Sequence, residues 1–561
     1  MSKLKKVWAA DFETSYDENG SWVYLGCLIN CESGQIYNFY SIDEFIALID
    51  KLQKKINKIY FHNLKFDGTF ICDYFLRNNI KFDTIIDNLG SWYMILYNKI
   101  KIIDSLKLIP LKISQFGKCF GLENKEKLHY EDYHKPRDYE VQPYDIEYCN
   151  QDTIILMEGL RVFYERGFDK MTIGSNALEF YKNILAEKYG KNSFRKFFPI
   201  LPKNIDSIIR DSYKGGYCYV CEDYKDKEIQ EGIVYDVNSM YPGVMVREQL
   251  PYGWGRYKEL NGEDPSKYID KCEKLWIANI DIQFKLRDGF IPTIQLKNNA
   301  HFLDNEYIKD SKCELINMTI TSVDYEMIQK HYIIENIEWN YCIYFKASNN
   351  LFKDYYAYWN NEKIEGAKEK NAGKRQIAKL FMNNLYGKFG SNPDRMNKQL
   401  IYDKHIRFET KKGDDAEIIY TAVASFTTAY ARKQIITAAQ IAHEKGRFVY
   451  CDTDSLHLVG CDILSEIWRD DFALGAYKLE EKFDRAKYLR QKTYIHETDK
   501  KLSIKCAGMP DAAKATISDI KDFKIGNEYE GKLTQKILPG GAALIPSTFK
   551  IKEEKDNVFF I

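Results

Sequence analysis

Four apolar runs along the chain end at acidic residues, and these four endings organise the rest of the sequence. Short runs rich in β-branched and aromatic residues predict strands. Val7 to Ala10 runs into Asp11-Phe12-Glu13. Alternation along a strand puts those two carboxylates on one face and Phe12 on the other. Lys58 to Phe61 leads into a polar loop, His62 to Gly68, that carries Phe66 and Asp67. Gly232 to Tyr235 ends at Asp236, with Pro242 soon after at a natural helix start. Gly446 to Gly460 predicts a β-hairpin with Asp452-Thr453-Asp454 at or near its turn. Read as extended chain, Asp452 and Asp454 share a face, and they repel each other unless a cation sits between them.

Helical periodicity appears between these runs. Gln142 to Leu160 reads as a helix on which Tyr148 and Asp152, at i and i+4, face one side. Gly373 to Phe389 reads as another, with Arg375, Lys379, Asn383 and Tyr386 in one stripe. A core face would be apolar, whereas this one mixes cations, an amide and an aromatic ring. Lys379 suits the phosphates of a nucleoside triphosphate, and Lys368 or Lys370 could reach the same phosphates. Thr427 to Arg432 opens a helix leading to the hairpin. Residues 391–417 read as a long polar loop, a kind that is usually functional. Ser212 to Tyr217 reads as a turn whose Gly215-Gly216 pair permits positive φ and close approach to a ligand. Residues 248–350 alternate strand-like and helical runs without a catalytic pattern. Arg490 to Tyr494 places Lys492 and Tyr494 on one strand face. With Arg485, Lys487, Lys500, Lys501 and Lys505 this is the most basic neighbourhood, suited to neutralising a strand of phosphates. The tail from Ala507 reads as a short helix and hairpins, turning at Pro539-Gly540-Gly541.

Composition narrows the class. At 561 residues the chain predicts about three to four domains. Equal numbers of basic and acidic residues, 81 each, exclude a non-specific basic nucleic-acid coat. They leave room for a large enzyme with a basic channel and acidic centres, because the field depends on distribution. Thirteen scattered cysteines, an odd number, predict free thiols and a reducing compartment. Cys218 and Cys221 have no second pair at zinc-finger spacing and read, like Cys27 and Cys31, as strand residues. No apolar stretch has signal-peptide or transmembrane length, which predicts a soluble, intracellular protein.

Asp11-Phe12-Glu13, Asn63-Leu64-Lys65-Phe66-Asp67 and Tyr148-xxx-Asp152 resemble, in this order, the three motifs of DEDDy-type 3′–5′ exonucleases. Tyr213-x-Gly215-Gly216, Asp236-xx-Ser239-xx-Tyr241-Pro242, Lys379-xxx-Asn383, Tyr386-Gly387, Asp452-Thr453-Asp454 and Lys492-x-Tyr494 follow. From Asp11 onward the chain resembles the terminal-protein-primed family B DNA polymerases of small tailed phages. The resemblance implies an α/β and α+β multidomain fold: a ribonuclease H-like exonuclease domain and a right-hand polymerase with two insertions. It implies an exonuclease at 1–176, palm at 177–247 and 418–506, and fingers at 351–390. Terminal-protein regions fall at 248–350 and 391–417, and a thumb at 507–561.

Site roles follow from the same resemblance. Asp11, Glu13, Asp67 and Asp152 form the exonuclease centre, the metal on Asp11, Glu13 and Asp152; Tyr148 orients water and Lys135 assists. Thr14, His62, Asn63 and Phe66 bind single-stranded DNA. Asp236, the Val237 carbonyl and Asp454 hold two Mg²⁺, with Mn²⁺ able to substitute, and Asp452 supports them. Tyr241, Lys379, Asn383, Tyr386 and either Lys368 or Lys370 bind the dNTP. Tyr213, Gly215, Gly216, Thr428, Arg432, Lys492 and Tyr494 bind DNA. Template and primer DNA, a terminal protein in a heterodimer and a single-stranded-DNA-binding protein are the implied partners, in the cytoplasm of an infected host. Two departures stand out: Asn384 replaces the family's usual Ser, and the spacing upstream of Lys379 is one residue short. A family B polymerase extending ordinary primers would share the catalytic motifs but not the two insertions. A nuclease on a binding scaffold would not need Asp236 and Asp454.

Overall fold

The structure is a computed structural model that describes residues 3–122, 135–270, 273–296, 302–303 and 306–553. Its amino-terminal layer is a seven-stranded mixed sheet. The spatial order is Ile36–Phe39, Gly20–Asn30, Val7–Asp17, Lys58–Phe61, Ile100–Asp104, Trp92–Tyr97 and Asp83–Ile86. Val7–Asp17 is interior because both of its faces are apolar at their start. Val7 and Ala9 join one core, and Trp8, Ala10 and Phe12 the other. Phe12 meets the rings of Phe39, Phe45 and Phe61 edge-on, with centroids 5.6, 5.0 and 4.9 Å away. Burying such a ring stabilises the fold by about 2–3 kcal/mol, and it leaves Asp11 and Glu13 on the opposite face, toward helix Pro143–Glu165.

The loop expected from His62 to Gly68 is much shorter. Asn63 takes a left-handed φ of 73°, and helix Leu64–Arg77 begins immediately after it. Leu64, Gly68, Ile71, Cys72 and Phe75 form its buried stripe, so Phe66 and Asp67 lie in its first turn.

A second seven-stranded sheet forms the centre. Its order is Lys501–Cys506, Thr493–Thr498, Tyr477–Arg490, Glu228–Val237, Ser455–Val459, Phe448–Asp452 and Cys218–Val220. Helix Thr421–Glu444 covers it, placing Ala431, Ile435 and Ala438 against Ile233, Tyr235 and Leu456. This helix starts six residues before the expected Thr427.

An antiparallel helix pair, Lys353–Lys368 and Ala372–Phe389, packs with helix Ile173–Tyr189 through Phe168, Phe180, Trp359 and Phe381. The boundary expected at 176–177 therefore falls inside a helix. The apolar core runs unbroken from the amino-terminal sheet into the helix pair.

Residues 248–350 build a four-stranded sheet, Leu250–Glu259, Tyr332–Ser348, Glu273–Leu286 and Ile316–Thr321, with helix Ser322–His331 beside it. The polar loop expected at 391–417 is instead a hairpin, Met396–Asp403 with His405–Lys412. Its Leu400 and Ile406 sink into the core of the amino-terminal layer, Phe408 meets the Trp92 ring edge-on at 6.4 Å, and Asn397 bridges to Asp87. A last hairpin, Glu528–Leu538 with Gly541–Lys550, also reaches that layer through Ala542. Among the described residues no helix is long and apolar enough to cross a membrane, and the cysteines are free thiols.

Candidate active sites

Asp236 and Asp454 meet because of strand register. Asp236 pairs with Ser455 on one side and Lys478 on the other, and the Val237 N–H donates to the Asp454 carbonyl at 2.8 Å. Thr453 is left-handed, with φ 59°, so Thr453-Asp454 is the corner of the hairpin. The extended-chain account of Asp452 and Asp454 is thus corrected: the turn, not alternation, aims Asp454. Asp452 accepts from the hydroxyls of Tyr450 and Thr453, both at 3.2 Å, and lies 3.9 Å from Lys492 Nζ. Burial and the neighbouring Asp236 push the Asp454 carboxyl up to about 7. Burial and Glu480 raise Asp236, against the pull of Lys478, 3.5 Å away, and Lys379. Lys478 and Glu480 escaped the sequence reading; their alternation on the strand beside Asp236 was the available signal.

Two half-buried acids that resist ionising together suit a divalent cation, which competes with the proton. Divalent-cation affinity is expected to fall about tenfold per pH unit as one proton returns, beginning near pH 7 where Asp454 titrates. A dye-competition titration across pH 5.5–8 checks this, and Asp454→Asn should flatten the curve. Among the described residues no three His, Cys, Asp or Glu side chains are already arranged around a metal position.

Beside these acids lies a cavity of about 830 Å³. All four stripe residues, Arg375, Lys379, Asn383 and Tyr386, line it, as does Tyr241. The Tyr241 and Tyr386 rings lie 4.1 Å apart at 34°. Burial raises the phenols of Tyr386, Tyr241 and Tyr213. Lys368 and Lys370 do not line the cavity. They stand exposed at the tip of the helix pair, while Lys363, about a turn and a half back, faces inward. The sequence showed lysines but not where the first helix turns back on the second.

The Tyr213 to Gly216 segment reaches the acidic corner. Neither Gly215 nor Gly216 has positive φ, contrary to expectation. A Cβ on Gly216 would stand 2.6 Å from Thr453 Oγ1, and the Thr453 N–H donates to the Tyr217 carbonyl at 2.8 Å. Gly216→Ala must push Thr453 aside, at about 1–3 kcal/mol. Primer-extension kcat is expected to fall about 10- to 100-fold, with single-strand degradation unchanged, in parallel gel assays.

Thr428 and Arg432 are not surface contacts. Thr428 is buried and donates to the Ala424 carbonyl at 3.2 Å. Buried Arg432 pairs with Asp324 at 2.7 Å and donates to the Lys214 and Gly215 carbonyls at 3.0 and 2.9 Å. Burial works against the Asp324 carboxylate; Arg432 and Lys214 overcome it and hold its carboxyl below the ordinary range. Removing one partner of a buried pair costs about 3–5 kcal/mol, so urea unfolding of Arg432→Ala should show a loss of that size.

Lys492 is corrected too: it sits in a turn at φ 55°, while Tyr494 packs against Tyr450 and Tyr488 at 5.2 and 5.3 Å. The basic neighbourhood is partly neutralised, since Arg485 pairs with Glu228 and Glu497, and Lys487 with Asp226.

The second acidic centre lies in the amino-terminal layer. Asp67 and Asp152 are 4% and 3% exposed. Burial and nearby Asp11 raise the Asp67 carboxyl far above the ordinary range. Burial raises the Cys149 thiol, and Glu13, Asp11 and Asp152 add to the rise, which puts all three acids around this stretch of the Pro143–Glu165 helix. Tyr148 is buried on the same helix. Ser15 pins Lys135 twice, accepting from its N–H at 3.0 Å and donating to its carbonyl at 2.7 Å. The Lys135 ammonium lies 4.4 Å over the Tyr139 ring. Thr14 follows a bulge in its strand. Asn63 is exposed, and Phe66 is half-buried against Phe70. Both His62 ring nitrogens are engaged, by Ser105 Oγ at 2.9 Å and the Leu111 carbonyl at 2.8 Å, which commits the ring to the fold.

The family model for DNA polymerase type B, organellar and viral, matches residues 49–136 and 128–469. The chain belongs to this family. The DNA polymerase of Bacillus phage phi29 is 37% identical, over 98% of this chain and 99% of its own. That of Streptococcus phage Cp-1 is 32% identical, over 97% and 98%. The solved phi29 DNA polymerase complexed with primer-template DNA and incoming nucleotide superposes with a TM-score of 0.89 at 36% identity, covering 98% of this chain and 100% of that one. The polymerase described here is a DNA-directed DNA polymerase with a 3′–5′ exonuclease, of the phi29 type and fold. Like its family it uses divalent metal ions.

Proposed function

We propose that this polymerase replicates a linear phage genome from a protein primer, elongating processively with strand displacement and proofreading its own 3′ ends. The observation that carries the polymerisation site is the single cavity with Asp236 and Asp454 at one end and a cationic stripe along one wall. Asp236, Asp454 and the Val237 carbonyl would hold two Mg²⁺ or Mn²⁺, the remaining ligands coming from substrate phosphates and water. Metals held there would supply acidification of the primer hydroxyl and neutralisation of the triphosphate. Lys363, Arg375 and Lys379 hold the triphosphate; Tyr241, Asn383 and Tyr386 hold the nucleoside and its base pair. Lys492 steadies Asp452 behind the acidic corner. Tyr213 to Gly216, braced by Arg432, places the template strand against that corner.

In the amino-terminal centre Asp11, Glu13 and Asp152 are the metal ligands, Asp67 completes the set and Tyr148 orients the attacking water. Lys135 assists from its tether on Ser15. Thr14, Asn63 and Phe66 guide a frayed 3′ end. Residues 248–350 would contact the terminal protein, and the 391–417 hairpin with the 507–561 thumb would close around DNA. The relative's complex with primer-template DNA and incoming nucleotide supports the same partners here. A single-stranded-DNA-binding protein and the host cytoplasm complete the setting.

Incubation with Mg²⁺, a labelled dNTP, template and the candidate priming protein, with no primer strand, tests the reading. Label on the priming protein supports it. Label only when an oligonucleotide primer is added favours an ordinary-primer polymerase.

A further inference from the structure

Five cations line the nucleotide cavity: Lys478 beside Asp236, and four others, Lys363, Arg375 and Lys379 from the helix pair and Lys118 from the short helix Phe116–Phe120 of the amino-terminal layer. Among the described residues none of these four forms an ion pair. Lys374 on the same helix shows the contrast, held by Glu362, Glu365 and Glu369, while Lys478 is held by Asp236. Like charges gathered without direct ion pairs oppose one another, so the arrangement is set for an anion.

The place of Lys118 is firmly built. Phe116 and Phe120, at i and i+4, share one side of their helix and sink into the core that also holds Ile377 and Phe381. Lys118, two residues from each, falls on the other side, toward the cavity. The Phe120 carbonyl lies 3.5 Å from where a Cβ on Gly373 would stand, so this helix abuts the start of Ala372–Phe389. Tyr386, Asn383, Lys379, Arg375 and Ala372 line the cavity in succession. At 1.5 Å per residue, Ala372 lies about 21 Å from Tyr386. Lys118 stands at the Ala372 end, farthest from the stacked tyrosines.

We propose that Lys118 is the outermost phosphate-binding residue of the nucleotide site, taking the terminal phosphate of the incoming dNTP and then the departing pyrophosphate. The exonuclease layer thereby supplies one wall of the polymerisation site. This rests on the assignment of the cavity to nucleotide.

Steady-state primer extension by the full chain, its Lys118→Ala and its Lys118→Arg variants tests it. Lys118→Ala should raise KM for dNTP and the inhibition constant of inorganic pyrophosphate about tenfold, with kcat nearly unchanged and Lys118→Arg restoring most of the loss. Degradation of single-stranded DNA reports that the variants are folded. If both constants stay within about twofold of the parent chain, the proposal falls. Cys119, on the same wall, gives a readout without turnover. With Ca²⁺ present, dATP should slow its alkylation by iodoacetamide, followed by peptide mass; an unslowed rate also overturns the proposal. A parent chain that neither extends primers nor binds dATP would instead sink the nucleotide assignment of the cavity.

Discussion

Asp454→Ala is expected to lower primer extension by about 1,000-fold or more while degradation of single-stranded DNA continues at the parental rate. The expectation follows from where the charge sits. Asp454 occupies the corner of a two-residue turn, hydrogen-bonded through its carbonyl to Val237 and held beside Asp236 by strand register. Removing its carboxylate leaves Asp236 facing Lys478 and takes away half of the acidic pair that a divalent ion needs. The turn itself survives, because its backbone bonds run through Thr453 and Val237 rather than through the Asp454 side chain. Extension of a labelled primer and shortening of a labelled single strand, measured on one preparation, separate the two activities. A folded variant that loses both would show that one centre serves both reactions.

The converse experiment is Asp11→Ala together with Glu13→Ala. Degradation of single-stranded DNA should fall about 1,000-fold or more and primer extension should persist. Stability should change little or even rise, since both residues are half-exposed and Asp11 presses on buried Asp67. The apolar face of their strand, with Phe12 among three rings, is untouched. Mismatched primer termini should then be extended rather than removed, which a mispaired template reads directly. Extension lost in parallel with degradation would mean that the acids of the amino-terminal layer also serve synthesis.

Gly216→Ala and Arg432→Ala test how the Tyr213 to Gly216 segment is seated at the acidic corner. The first crowds Thr453 at the acidic corner, and the second releases the backbone that carries Gly215. Both act on synthesis through position, with no metal ligand changed.

What the chain declares locally was legible without coordinates. Alternation at Asp11-Phe12-Glu13 predicted which side chains face the core, and the 3.6-residue period predicted the Arg375 to Tyr386 stripe. These patterns survive because each is set within one strand or one helix, by the burial of neighbours a few positions away. The motif order was likewise written in the chain, and with it the family.

Other features depended on partners distant in sequence. Residues 391–417 looked like a loop because their buried apolar anchors, Leu400 and Ile406, are few, and the socket for these lies in the amino-terminal layer. Arg432 looked like a DNA contact until Asp324, 108 residues away, proved to be its partner. Lys363 displaced Lys368 and Lys370 because the turn between two helices decides which lysine faces inward. Sequence by itself determined the chemistry available: two acidic centres, a cationic stripe, and strands to carry them. Tertiary structure alone decided that Asp454 meets Asp236 across a turn, that Gly216 must lack a side chain, and that Lys118 lines the same cavity as Lys379. Strand register and interlayer packing act between segments that share no local pattern, and so leave no mark on either segment alone.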